Sequence, residues 1–346
     1  MKVLKFGGTS VANAESLKLV VDIIKKTTNQ KQFVVVSAIG GVTNLLIEMA
    51  NSASQGKTNF KKHIKNIEKR HLDIINSSIP VTQQSGIISF LKSQLNELEG
   101  VLESLFTLRE LTPKSLAKIS SYGEIISSTI IFELLKHQEI NVFLKDARTL
   151  IFTRIINDKE VLNHEKSSES CQPFITSESD SVILIPGFIA SDENGDTTTL
   201  GRGGSDYSAA LLASYINASV LEIWTDVSGM FTAHPRLVSQ AQPIPKLSYN
   251  EAMELSHFGA KVIYPPTLQP IIEKEIPILI KNTFDQDADG TIIDSIGNLE
   301  GINGTVVKGI SHIDMVALVS LEGSGMIGIP GFSKRLFECL SLKKIN

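Results

Sequence analysis

Three glycine-rich turns hold the residues best suited to chemistry. Lys5-Phe6-Gly7-Gly8-Thr9-Ser10 follows the apolar run Val3–Phe6 and precedes a segment of helical spacing. Ser37-Ala38-Ile39-Gly40-Gly41-Val42-Thr43 does the same at the end of Phe33–Ile39. Leu200-Gly201-Arg202-Gly203-Gly204-Ser205-Asp206 opens a third helical segment. Turns of this kind bring backbone N–H groups close to an anion, and the helix N-terminus adds about half a positive charge. One such turn is ordinary chain reversal. Three of them, two flanked by Lys5 or Arg202, are the parts of a phosphate cradle.

Other chemical signals fail on their surroundings. Gln55-Gly56-Lys57-Thr58 ends like a P-loop, but Asn51 stands where its first glycine belongs and a helix, not a strand, precedes it. Asp285–Gly290 resembles a calcium loop, but Ile296 occupies the position of the bidentate glutamate. Gly323-Ser324-Gly325-Met326-Ile327-Gly328 has dinucleotide-site spacing, yet the acidic ribose ligand expected some 20 residues on is replaced by Lys343-Lys344. Lys57–Arg70 holds six Lys and Arg residues and one Glu with Phe60 as its one Phe, Tyr or Trp, which reads as a solvated helix face.

The elements that must position the turns alternate strand and helix. Strands are expected at Val3–Phe6, Phe33–Ile39, Asn141–Leu144, Ser181–Ala190, Val220–Trp224, Pro277–Lys281 and Met315–Leu321. Helices are expected at Ala14–Lys26, Thr43–Ala53, Leu116–His137, Ser205–Ile216, Tyr249–Phe258 and Ser333–Lys344. Between Lys57 and Leu111 strand signals vanish, and two long helices broken around Pro80 form a helical insert. Asn194-Gly195 marks a hairpin turn. The order describes an α/β protein with a parallel sheet.

Composition narrows the class. The 346 residues are 42% apolar and 20% charged with net charge −4, so a basic nucleic-acid binder is not expected. The longest apolar runs are about half the ~20 residues that span a bilayer, so no membrane partner is expected either. Two distant cysteines, Cys171 and Cys339, fit a reducing compartment, and the first residues lack a signal peptide's apolar stretch; a cytoplasmic location is expected.

Four ordered motifs resemble those of the aspartokinases, in the amino-acid kinase superfamily: Lys5-Phe-Gly-Gly-Thr-Ser-Val, Thr199-Leu-Gly-Arg-Gly-Gly-Ser-Asp, Trp224-Thr-Asp-Val and Phe258-Gly-Ala-Lys-Val. The resemblance implies a three-layer α/β/α sandwich around a largely parallel eight-stranded sheet over residues 1–295, with 57–111 as a helical insert. It implies phosphorylation of the L-aspartate side-chain carboxylate by MgATP, giving 4-phospho-L-aspartate and ADP. A carboxylate ionised at neutral pH needs no general base, so positioning and charge neutralisation are what such a reaction requires.

By the same resemblance, Lys5 neutralises the transferring phosphoryl group, with Gly7, Gly8 and Gly41 as N–H donors and Asp206 ordering Lys5 or the metal. Ser37, Thr43, Glu124, Arg202 and Ser205 bind substrate, Glu124 through its ammonium and Arg202 through a carboxylate. Lys5, Gly7, Gly8, Ser10, Thr225, Asp226, Phe231, Arg236, Lys261 and Val262 bind the nucleotide. Mg²⁺ rests on ATP phosphates, with no direct protein ligand assigned. Ser228, Phe231, His234 and Tyr264 depart from the family pattern near the nucleotide edge.

Residues 296–346 resemble a linker and the start of an ACT regulatory domain, most like the first repeat of aspartokinases fused to homoserine dehydrogenase. One strand and one helix of that βαββαβ unit cannot bury their apolar faces alone. A homodimer or larger homo-oligomer is expected, and regulation by threonine or lysine belongs to a longer chain. Three alternatives remain open: a kinase of this fold for another acid, an amino-acid-binding subunit with a weak or dead kinase site, and a dehydrogenase using the tail.

Overall fold

The computed structural model describes all residues except 28–29, 158, 177–180, 258–261, 298–306, 314–315, 318–319, 322–330, 344 and 346. It divides into two compact units, Met1–His312 and Ile313–Asn346. Among its described residues, the second unit has one helix, Phe332–Leu342, opened by Gly331 at φ +85°. Val316, Ala317, Ser320 and Leu321 are not strand, which departs from the strand expected over Met315–Leu321; the rest of that range and the Gly323–Gly328 motif lie outside the described residues.

The first unit is built on an eight-stranded sheet. Its central strand, β1 (Lys2–Phe6), pairs in parallel with β2 (Gln32–Val36) on one side and with β9 (Val220–Thr225) on the other. Beyond β2 lie β6 (Val182–Pro186) and β3 (Val142–Leu144), both parallel. Beyond β9 lie β11 (Ile278–Asn282), β12 (Thr291–Asp294) and β10 (Lys246–Ser248), where β11–β12 is the sheet's one antiparallel pair. The chain thus steps one way from β1 to β2 and later crosses to the other side for β9. Open α/β sheets form their binding crevice outside the strands' carboxyl ends at such a reversal.

Alternation along β1 separates the two faces. Leu4 and Phe6 join a core with Val34, Val36, Leu184 and Trp224, covered by α1 (Ala14–Lys25), α2 (Val42–Ser54), α3 (Phe60–Ser78), α4 (Gln84–Leu108) and α5 (Pro113–His137). Val3 faces the opposite core with Phe33, Val35, Leu221 and Ile223, under α7 (Gly204–Tyr215) and the short helix Gln269–Ile272. The period of two side chains per repeat therefore sends Lys5 toward α7. The insert helices α3 and α4 contribute Ile64, Ile67, Leu91, Leu95 and Leu98 to the first core, so they pack as part of the sheet's cover.

Several elements differ from expectation. Ser181–Ala190 is two strands: β6 ends at Pro186, and Ile189–Ser191 (β7) leaves the main sheet to pair with Thr197–Thr199 (β8) across the Asn194-Gly195 turn. The break is at Phe188, held at φ +68°, a conformation that no extended strand permits. β2 ends at Val36, short of Ile39. The hairpin of β4 (Thr153–Ile156) and β5 (Lys159–Leu162), the helix α6 (His164–Thr176), β10 and β12 are additions. The P-loop-like Gln55-Gly56 closes α2, with Gly56 at φ +76°. No helix among the described residues is long and apolar enough to cross a membrane.

His71 of α3 is completely buried, its Nδ1 2.7 Å from the Ile67 carbonyl and its Nε2 without a partner. Burial, helped by the charge of Arg70, pushes the imidazole down to about 4. A folded-state value below the unfolded one makes stability fall as pH drops below about 6.5 and level off below about 4. Between pH 7.5 and 4.5 the wild-type protein is expected to lose about 2–3 kcal/mol of unfolding free energy relative to His71→Leu. Urea titrations of both proteins check this; parallel pH curves would contradict it.

Candidate active site

The site forms where β1, β2 and β9 end. Lys5 is one residue from the end of β1, in register with Val35 and Ile223. Its side chain points to α7, whose first turn contains Asp206, and Nζ lies 2.5 Å from Asp206 Oδ1. Both side chains are largely buried, at 10% and 17% exposure, so the charges are held where the effective dielectric is low. Gly203 caps α7 at φ +68°, and a Cβ there would lie 2.7 Å from Tyr264, so glycine is required for the turn to pass. An acidic side chain in the first turn is also favoured by the helix dipole.

The first two glycine turns touch. The Gly40 amide donates to the Gly8 carbonyl at 3.0 Å, and a Cβ on Gly8 would lie 3.1 Å from the Ala38 oxygen and 3.2 Å from Gly40 Cα. The Gly7 amide donates to the Trp224 carbonyl at 3.1 Å. That corrects the expectation that Gly7 supplies a free donor: its N–H ties β1 to β9. The amides of Gly8 and Gly41 donate to no group among the described residues. Gly41 stands at φ +80° as the N-cap of α2 with open space beside it. Ser10 is fully buried, its hydroxyl 2.7 Å from Thr283 Oγ1 and 3.3 Å from the Trp224 carbonyl. Its side chain therefore braces the turn from behind.

Glu124 comes from α5. This helix starts at a capping box of Thr112 and Ser115 with Pro113 in the first turn. It passes so close to the second turn that a Cβ on Gly123 would be 2.8 Å from Ala38 Cβ. Ser127 donates to the Ser37 carbonyl at 2.7 Å, fixing the same approach. Glu124 is 3% exposed and its Oε2 has no partner. Burial pushes its carboxyl up to about 8, against the pull of backbone amides, Ala38 among them. A buried carboxylate oxygen without a donor is costly unless something cationic meets it.

The remaining expected residues fall into two sets. Ser37 and Thr43 are half-buried on the second turn and the first turn of α2, and Ser205 packs under Gly187, whose Cβ would lie 2.7 Å from it. Arg202 is exposed, its guanidinium 5.8 Å from the Tyr264 ring centroid. Thr225 donates to Asp226 at 3.2 Å at the end of β9, and the Thr225 carbonyl accepts from the Thr283 amide. Asp226 and Arg236 are exposed, while Phe231 is half-buried and bridges Pro243. Val262 is half-buried against the α7-side core, and Lys261 lies outside the described residues.

One residue at the site escapes sequence reading. Arg70 of α3 donates to the Gly40 carbonyl at 2.7 Å. It is the last residue of the basic run Lys57–Arg70, so composition hides it among solvated lysines.

A sequence profile described as the amino acid kinase family matches residues 1–282. The chain belongs to the amino acid kinase family. It is 37% identical over 296 residues to an aspartokinase of Chlamydia pneumoniae, covering 84% of this chain and 62% of that one. It is 35% identical over 345 residues to a bifunctional aspartokinase/homoserine dehydrogenase of Haemophilus influenzae, covering 99% of this chain and 42% of that one. The chain thus spans about two fifths of that bifunctional relative. The crystal structure of E. coli aspartokinase III in complex with aspartate and ADP superposes with a TM-score of 0.79 at 30% identity, covering 87% of this chain and 66% of that one.

Breaking the Lys5–Asp206 pair from one side strands a largely buried charge. Lys5→Met is expected to cost about 1–3 kcal/mol, discounted from a fully buried pair because both groups retain some exposure. The double variant Lys5→Met/Asp206→Leu should recover part of that loss in urea unfolding. A double variant as unstable as the sum of the singles would show no coupling.

Proposed function

We propose that this chain transfers the γ-phosphoryl group of MgATP to the side-chain carboxylate of L-aspartate, giving 4-phospho-L-aspartate and ADP. The observation that carries the reading is Glu124: a buried carboxylate with an unpartnered oxygen, beside a glycine-turn cradle, suits the ammonium of an amino-acid substrate. The similarity to aspartokinases, one of them holding aspartate and ADP, supports the choice of acid.

In this reading a carboxylate oxygen of aspartate attacks the γ-phosphorus as the bond to the β-phosphate oxygen breaks. ADP leaves with that electron pair, and no proton is transferred. Charge repulsion between two anions is the obstacle, so the residues act by neutralising and placing. Lys5, steadied by Asp206, meets the transferring group, and the free amides of Gly8 and Gly41 donate to it. Arg202 grips the α-carboxylate with its planar fork, and Ser37, Thr43 and Ser205 bind around it. Thr225, Asp226, Phe231, Arg236, Lys261 and Val262 form the nucleotide side. Mg²⁺, when bound, offsets phosphate charge; the carboxylate of Asp206 is already engaged with Lys5, which suits an ion held mainly by the phosphates.

We assign residues 1–295 to the catalytic domain, with 57–111 as its helical insert, and 296–346 to a linker and partial ACT segment. A cytoplasmic homo-oligomer, regulated by threonine or lysine in a longer chain, completes the reading.

Acyl phosphate trapped as the hydroxamate tests the reaction. Aspartate-dependent hydroxamate with none from L-glutamate is expected; glutamate-dependent product, or none with MgATP bound, would overturn the assignment of substrate. Glu124 supplies a second test. With its carboxyl near 8 in the free protein, it is mostly protonated at pH 7 and must ionise to meet an ammonium. Aspartate binding at pH 7 is then expected to release about one proton, and aspartate affinity to rise with pH up to about 8. Calorimetry in buffers of different ionisation enthalpy reads this directly, and Glu124→Gln should abolish the release. Proton release unchanged in Glu124→Gln would place the ammonium elsewhere.

A further inference from the structure

We infer that Arg70, on the helical insert, is a positioning residue that aims and polarises the Gly41 N–H toward the transferring phosphoryl group. The inference rests on the kinase reading above and adds to it a residue outside the glycine turns.

A trans peptide points its C=O and the following N–H in opposite directions. The Gly40 oxygen and the Gly41 N–H belong to one such unit. Arg70 Nη2 holds the oxygen at 2.7 Å from the α3 side. The Gly41 N–H is thereby directed away from α3. That N–H is a donor without a partner among the described residues, at a position of φ +80° beside open space.

Glycine needs this external fixing. Without a Cβ it visits positive and negative φ about equally, so the Gly40–Gly41 plane would otherwise turn freely. The preceding amide is already pinned, because Gly40 N–H donates to the Gly8 carbonyl at 3.0 Å. Arg70 supplies the second restraint, one peptide on, and the two together define the plane. The bond also has an electrical effect. A guanidinium on the carbonyl oxygen draws charge from the amide and strengthens the N–H as a donor.

The insert can bear this restraint because it is packed. Ile64, Ile67, Ile74 and Ile75 of α3 are buried in the sheet-side core, and His71, the next residue, is fully enclosed. Arg70 therefore reaches the turn from a fixed helix.

The test uses the full chain with Arg70→Ala and Arg70→Lys. Arg70→Ala is expected to lower kcat for aspartate-dependent hydroxamate formation by about tenfold to a hundredfold, less than removal of a whole transition-state donor. KM for aspartate and the urea midpoint should stay at wild-type values. Arg70→Lys, which keeps the charge but not the planar fork, should recover part of kcat. An unchanged kcat in Arg70→Ala, or a loss that tracks the urea midpoint, would overturn the inference. A readout free of turnover separates this from failure of the kinase reading. In ¹⁵N spectra the Gly41 amide resonance is expected to shift in Arg70→Ala, and its response to an added non-hydrolysable MgATP analogue, which carries the γ-phosphate, to shrink. If the wild-type chain makes no hydroxamate, the kinase reading fails, and an unmoved Gly41 resonance would independently sink the role of Arg70.

Discussion

A lysine buried at the end of the central strand is the constraint on which the site depends. Lys5 has little access to water, so its charge must be met within the protein, and Asp206 meets it at 2.5 Å. That demand ties β1 to the first turn of α7. It also explains why the turn before α7 is glycine: Gly203 must take φ +68° and slip past Tyr264 for Asp206 to arrive. The pair leaves a cation held in place, and a held cation is more useful to a polyanion than a mobile one, because no reorganisation is needed when charge arrives.

Around that cation the chain arranges donors and leaves an acceptor on Glu124. Gly7 donates its amide to Trp224, which locks β1 to β9, while the next amide, Gly8, donates to no group among the described residues. Gly40 spends its amide on Gly8, which leaves Gly41. The close contacts of Gly8 with Gly40 and of Gly123 with Ala38 exclude any side chain there, so the two turns and α5 meet at backbone distance. Glu124 is carried into this contact with one oxygen unanswered. Burying that oxygen is a cost to folding, and an incoming ammonium would offset it. The helical insert, remote in sequence from the glycine turns, reaches the same point through Arg70.

Much of this was legible in the sequence. The continuous apolar run at Phe33–Val36 announced a strand covered on both faces, and the glycine turns announced where strands give way to helices. The two insert helices and the break at Pro80 followed from spacing alone. The misses have physical causes. Ser181–Ala190 was read as one strand because its residues are mostly apolar, yet Pro186-Gly187 within it is a turn signal, and it is there that the chain leaves β6 and Phe188 turns it into a second sheet. The hairpin Thr153–Leu162 carries charged residues on an exposed pair of strands and shows little alternation. Gly7 looked like Gly8 because a sequence cannot show which amide is already bonded. Arg70 was indistinguishable from the lysines preceding it, since only the rotation of α3 decides which of them faces inward.

In the proposed reaction Lys5, the Gly8 and Gly41 amides and Glu124 act on one reacting pair, the first two at the phosphoryl group and the last at the acceptor's ammonium. A crystal structure with ADP, aluminium fluoride, Mg²⁺ and L-aspartate tests it most directly. The fluoride is expected within hydrogen-bond reach of Lys5 Nζ and the Gly8 and Gly41 amides, with the aspartate ammonium on Glu124 Oε2. A fluoride bound away from the end of β1, or an aspartate whose ammonium leaves Glu124 unpartnered, would contradict it.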